Sequence, residues 1–202
     1  MSKNTGKKFE SEVYDAIKSL LDNGQLGLLP KSCKVFKGKG YYSKDRDADI
    51  ITDVSVEVYV GNSTIPSIIW IWECKDYGKS IPVDDVEEFH SKLSQIGGDR
   101  TKGTIITSNG AFQDGALKFA GSKGIGLARL LPEEQVKWVM YLMTPNMRYS
   151  QRNNTLNGLR NISFVSHGEK FFGLTSDSKL TNYWNLDDFI DYELKLILKQ
   201  LI

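Results

Sequence analysis

The run Ile68-Ile69-Trp70-Ile71-Trp72 is apolar at every position and stops at Glu73-Cys74-Lys75-Asp76. Neighbouring side chains of a strand leave opposite faces, so such a run belongs in a central strand covered above and below. The chain must therefore build a layer on each side of a sheet. This run and the other long apolar one, 138–143, fall far short of the ~20 residues that span a bilayer.

The flanking segments can supply those layers. At about 100° per residue, Phe9, Val13, Ile17, Leu20 and Leu21 fall on one arc, which predicts a helix over 7–22, ended by Asn23-Gly24. Residues 34–42 read as a strand that carries lysines. Residues 48–60 alternate: Ala48, Ile50, Val54, Val56, Val58 and Val60 share one parity, and Asp49, Asp53, Ser55 and Glu57 the other. That is the pattern of a half-buried strand, and Gly61-Asn62-Ser63 turns the chain into the central strand, 67–76. Val83, Val86, Phe89, Leu93 and Ile96 mark a helix over 83–97. A strand at 104–107, a helix at 113–121, a strand at 125–131 and a helix at 132–143 follow. The order helix-β-β-β-helix-β-helix-β predicts an α/β fold, a mixed central sheet flanked by helices, over residues 1–144. After Thr144-Pro145 the texture changes. Residues 146–163 are rich in Asn and Arg, Ile162–Val165 and Lys170–Leu174 read as short strands, and a helix runs from Leu186 to Leu201. Residues 145–202 are thus expected to form a small α+β appendage of unknown role.

The 202 residues carry a net charge of +1, unevenly spread. Residues 1–46 hold ten basic against five acidic side chains, and residues 47–100 hold four against eleven. An acidic middle beside basic flanks is not a general nucleic-acid-binding composition. It suits a carboxylate-lined metal site with cationic surroundings, or an ordinary solvated surface. The two cysteines, Cys33 and Cys74, exclude a disulfide framework and a four-cysteine zinc site. With no apolar stretch at the N-terminus to act as a secretory leader, the expected location is the cytoplasm.

Glu73 and Lys75 lie two apart, so they leave one face of the central strand together. Charges at the end of a buried run are costly unless paired or functional, and a strand-end salt bridge is the plainer reading of a lone Glu-x-Lys. Two further carboxylates change it. Asp49 begins the preceding strand, and an antiparallel neighbour would bring it beside Glu73. Glu10 lies at about 100° on the first helix, inside the apolar arc, whereas Glu12 lies at about 300°, outside it. Two carboxylates, waters and a substrate phosphate make a Mg²⁺ site, and a nearby lysine can position or activate water. These parts would support phosphodiester hydrolysis.

Asp47-Ala48-Asp49-Ile50, then Glu73-Cys74-Lys75, then a helix, resembles the PD-(D/E)xK nuclease superfamily, and most closely the Mrr-like restriction endonuclease catalytic domains. Phe9-Glu10 resembles the acidic residue often carried on the first helix. Residues 102–112, with Ala116, Phe119-Ala120 and Gly124–Leu127, resemble the strand–turn–helix–strand that follows. The likeness covers about residues 6–143. Ala48 replaces a frequent proline, and Glu73 stands where Mrr-like members often have Gln or Asp. The resemblance implies the restriction-endonuclease-like fold and a Mg²⁺-dependent DNA endonuclease, with Mn²⁺ as a possible substitute, working in restriction and host defence. Asp49, Glu73 and the Cys74 carbonyl would bind metal, Lys75 would act on water, and Glu10 would support the site. Double-stranded DNA would be the partner, with Lys37, Lys39, Lys44 and Arg46 contacting it, and the protein would be a homodimer or part of a larger assembly. The alternatives are a structure-specific repair or Holliday-junction nuclease, and a catalytically silent DNA-binding or assembly module. His90, at the edge of a helix's apolar arc, and His167, in a turn, read as structural.

Overall fold

The computed structural model describes residues 5–23, 30–76, 78–108, 110–131, 151–164, 171–181 and 185–199. Helix α1 (Thr5–Asp22) is followed by β1 (Cys33–Ser43), β2 (Ala48–Val58) and β3 (Ile68–Lys75). Then come α2 (Val83–Gly97), β4 (Thr101–Thr107), α3 (Asp114–Lys123) and β5 (Gly126–Leu130). The described chain ends with α4 (Gln151–Arg160), β6 (Phe171–Leu174), the short β7 (Leu180–Thr181) and α5 (Leu186–Lys199). The strands form one seven-stranded sheet in chain order. β1, β2 and β3 pair antiparallel, β3, β4 and β5 parallel, and β5, β6 and β7 antiparallel. Each parallel pair is joined through a helix, as a crossover connection requires.

β3 is covered on both faces, as its composition demands. Ile69 and Ile71 enter a core with Val86, Phe89, Leu93 and Ile96 of α2 and Ala116, Leu117 and Ala120 of α3. Ile68, Trp70 and Trp72 enter a second core with Phe9, Val13, Ile17 and Leu20 of α1 and Phe189, Ile190 and Leu194 of α5.

The structure differs from the sequence reading in three places. The apolar parity of β2 does not keep to one face: Ile50 joins the core on the α2 side, while Val54, Val56 and Val58 join the one on the α1 side. The ladder shows why. β1 pairs Lys37 with Val54 and Lys39 with Thr52, but Gly38 and Asp53, between them, are unpaired. Gly38 takes φ +65°, a conformation that reverses the side-chain alternation and that glycine adopts without a Cβ clash. Secondly, the described part of residues 145–202 is not separate from the main sheet: β6 pairs with β5 and α5 packs beside α1. Thirdly, the Asn-rich stretch contains α4, and residues 161–164 form a turn where a strand was expected. The helix expected over 132–143 lies outside the described residues.

Candidate active site

The site is built where β2 leaves β3. Their pairing runs from Val58↔Ile68 to Val54↔Trp72 and goes no further. The next residue of β3 whose N–H points toward β2 is Cys74, and it has lost its backbone partner. Asp53 Oδ2 accepts that N–H at 2.8 Å, so a side chain takes over from the ladder. In a strand the N–H and C=O of one residue point to the same neighbour. The Cys74 carbonyl therefore also faces the gap between the strands.

Asp53 stands within electrostatic reach of two other carboxylates, Glu73 and Glu10. Burial, and then the neighbouring Glu73 and Glu10, push Asp53 up to about 6 against the pull of the Cys74 N–H and Lys75. Among the described residues Asp53 makes no ion pair. Glu73 is buried, at 8% exposure. Its Oε1 lies 3.2 Å from Lys75 Nζ and 3.1 Å from Lys92 Nζ. Burial works against the Lys75 ammonium, yet Glu73, Asp85 and Glu88 together hold its pKa above the ordinary lysine value. Burial, with Asp53, Glu10 and Glu73 close by, keeps the Cys74 thiol protonated.

Glu10 is half-buried and within electrostatic reach of Asp53, while Glu12 is exposed and pairs with Lys8 at 3.6 Å. Helical phase placed both. Asp49 is corrected: the register brings Asp53, not Asp49, beside Glu73. Asp49 is exposed opposite Tyr42 of β1, four residues or about 13 Å along the strand from Asp53. The sequence offered one signal for this. Thr52, between Ile50 and Val54, is the polar residue on the apolar parity, and it stands next to Asp53, where the β1–β2 ladder is interrupted.

The expected DNA-binding residues are not gathered as one group. Lys37 donates to Lys7 O at 3.2 Å and Ser11 Oγ at 2.5 Å, holding β1 to α1. Lys39 is 2.5 Å from the buried Glu57 and lies over the Phe36 ring. Lys44 and Arg46 are exposed in the β1–β2 turn, where Arg46 Nε donates to Gln95 of α2 at 2.8 Å. Lys92, which the sequence did not single out, stands beside Glu73 instead. His90 is half-buried, its ring 5.9 Å edge-on from Phe119, and His167 lies outside the described residues. A cavity of about 340 Å³, lined by His90, Lys102, Lys123 and Asp177, opens at the N-terminal ends of β4 and β5, away from the carboxylates.

A divalent cation fits the gap on chemical grounds. A half-buried carboxyl pushed upward by desolvation and by two other carboxylates, with no cation paired to it among the described residues, gains from one. Among the described residues no three Asp, Glu, His or Cys side chains converge as a ready-made cage. Two carboxylates, a carbonyl and water are the donors Mg²⁺ takes.

Residues 32–131 match the family model Mrr_cat, described as restriction endonuclease. Over that span, about half its length, the chain belongs to this family of PD-(D/E)xK-type domains, a nuclease class. The crystal structure of AF1548, described as a protein of unknown function, shares 17% identity over 71% of this chain and 76% of that one, with a TM-score of 0.38. No match is found among curated proteins.

Proposed function

We propose that the protein is a Mg²⁺-dependent DNA endonuclease of restriction type, acting in host defence. The observation that carries the reading is the meeting of Asp53, Glu73 and Lys75 at the point where β2 and β3 part. Asp53, Glu73 and the Cys74 carbonyl would hold the ion. When bound, it supplies Lewis-acid stabilisation of charge on the scissile phosphate. Lys75, held as an ammonium, donates hydrogen bonds, which suits positioning of water and phosphate better than abstraction of a proton. Glu10 adds negative charge from the α1 side and helps keep the ion in the gap. The exposed Lys44 and Arg46 would meet phosphates without reading bases. Cutting both strands of a duplex needs two such sites, so a homodimer or larger assembly belongs to the same proposal.

The test is nicking of supercoiled plasmid with and without Mg²⁺, beside cleavage of a four-way junction. Plasmid cleavage that needs metal and disappears in Glu73→Gln supports the proposal. Preference for the junction would move the protein to recombination and repair. DNA binding without cleavage of either substrate would make it a silent module.

A further inference from the structure

Glu73 holds two cations on one oxygen. Lys75 and Lys92 both approach Oε1, at 3.2 and 3.1 Å. One ammonium is enough to neutralise a carboxylate, so the second is surplus unless it has another task. The two lysines differ in what else they can do. Lys75 sits on β3, two residues from Glu73, where the strand fixes its direction. Lys92 reaches in from α2, and its Nζ also lies 3.2 Å from Glu88 Oε1, one helical turn back. Glu88 is 61% exposed and Glu73 10% by side chain, so Lys92 spans an inner and an outer carboxylate. A flexible four-carbon stem lets its ammonium rest on either.

We infer that Lys92 is a placeholder cation: it holds the Glu73 carboxylate in the cleft when no metal is bound, and passes to Glu88 when a divalent ion takes Oε1. This rests on the metal-site reading of Asp53 and Glu73. The physical need is plain. A divalent ion joining two ammoniums at one oxygen, in a setting screened little by water, meets strong like-charge repulsion. Lys92 has a second carboxylate, Glu88, on its own helix at i−4. Its departure leaves Lys75 in place and puts a positive charge at the outer edge of the cleft. Lys92 is thus a positioning residue, and Glu88 is its resting place.

The test is Mn²⁺ titration of the metal-free protein by calorimetry, across a double-mutant cycle. Lys92→Met keeps the aliphatic stem and should tighten Mn²⁺ binding three- to tenfold, because the ion no longer displaces a cation. Glu88→Gln should weaken it two- to fivefold, because Lys92 loses its alternative seat. In the Lys92→Met background, Glu88→Gln should then have no effect. Equal weakening by Glu88→Gln in both backgrounds would mean that Glu88 acts only through its charge, and the placeholder role would be overturned. Lys92→Gln serves as a second replacement, and thermal melts confirm that each variant is folded. Glu73→Gln is run in parallel. If it binds Mn²⁺ like the parent, the metal-site reading itself fails. If it loses binding while Lys92→Met is unchanged, the site stands and only the role of Lys92 falls.

Discussion

Asp53 and Glu193 are carboxylic acids in places that disfavour their charge. Burial first, then Glu73 and Glu10, push Asp53 up to about 6. Burial pushes Glu193 of α5 up to about 7, although the Ser176 N–H donates to its Oε1 at 2.7 Å. An acid whose folded pKa exceeds its unfolded one binds its proton more tightly when folded. The stability this confers is complete below about pH 4 and is lost as pH rises through 6 for Asp53 and 7 for Glu193. The metal-free protein should therefore melt higher at pH 5.5 than at pH 8. Glu193→Gln, which keeps the acceptor for Ser176, should gain about 1–3 kcal/mol at pH 8 and little at pH 5. Urea denaturation at the two pH values reads this, and a gain that does not depend on pH would show that Glu193 is not titrating there. Asp53→Asn should likewise raise the melting temperature of the metal-free protein at pH 8. In plasmid nicking it should lose at least about a hundredfold in rate, or ~2.7 kcal/mol of transition-state stabilisation. Asp49→Asn should stay within about twofold of the parent. If Asp49 proves the sensitive residue, the ion sits on the exposed part of β2 rather than in the gap.

The elements were largely legible in the sequence because their apolar spacing is regular. α1, α2 and β3 each present an unbroken pattern, and each lies within a few residues of where that pattern puts it. The site was legible only where periodicity reaches it. Glu73 and Lys75 follow from strand alternation, and Glu10 from helical phase. Asp53 does not, because its place depends on an interstrand register and on the interruption of the ladder at Gly38, of which Thr52 on the apolar parity is a faint local trace. α4 was missed for a similar reason: its helix is held from outside. Arg129 of β5 is 1% exposed, and its guanidinium donates to Gly158 O at 2.6 Å, Asn161 O at 2.9 Å and Ile162 O at 2.7 Å. Those carbonyls are at and just beyond the C-terminus of α4, where the last turn lacks partners of its own. Burial lowers the Arg129 pKa to about 10, which still leaves it charged at neutral pH. Arg129→Met would relieve a buried charge but take the donor from three carbonyls, two on the exposed Asn161 and Ile162 and one on the buried Gly158, and the buried one costs about 1–3 kcal/mol to leave unmade. The buried acceptor should win, and the variant should lose about 1–3 kcal/mol in guanidinium denaturation at unchanged slope. A neutral result would mean that water serves these carbonyls as well as Arg129 does.

At the scale of the whole molecule, the change of texture after Pro145 suggests a boundary that the packing does not respect. β6 covers the edge of β5 through four residue pairs, Leu127↔Leu174 to Leu130↔Phe171. Phe171 of β6 and Phe189, Ile190, Leu194 and Ile197 of α5 are all at most 2% exposed and share a core with Trp70, Trp72 and α1. Trp72 meets the Phe189 ring edge-on at 6.3 Å. Burying one such side chain stabilises by about 1.5–3 kcal/mol, so these five together contribute about 7–15 kcal/mol. That matches the entire net stability of a typical domain, about 5–15 kcal/mol. A chain cut after Thr144 should therefore not fold by itself, even though it keeps Glu10, Asp53, Glu73, Lys75 and Lys92. It should retain helical far-ultraviolet dichroism, lose the near-ultraviolet signal of its buried tryptophans, bind a hydrophobic dye and melt without a cooperative transition. Adding residues 145–202 as a separate chain should restore the near-ultraviolet signal if the missing surface is what fails. A sharp, cooperative melt of residues 1–144 alone would show instead that α1 and β3 close their core without α5, and that the later segment is an addition to a finished domain.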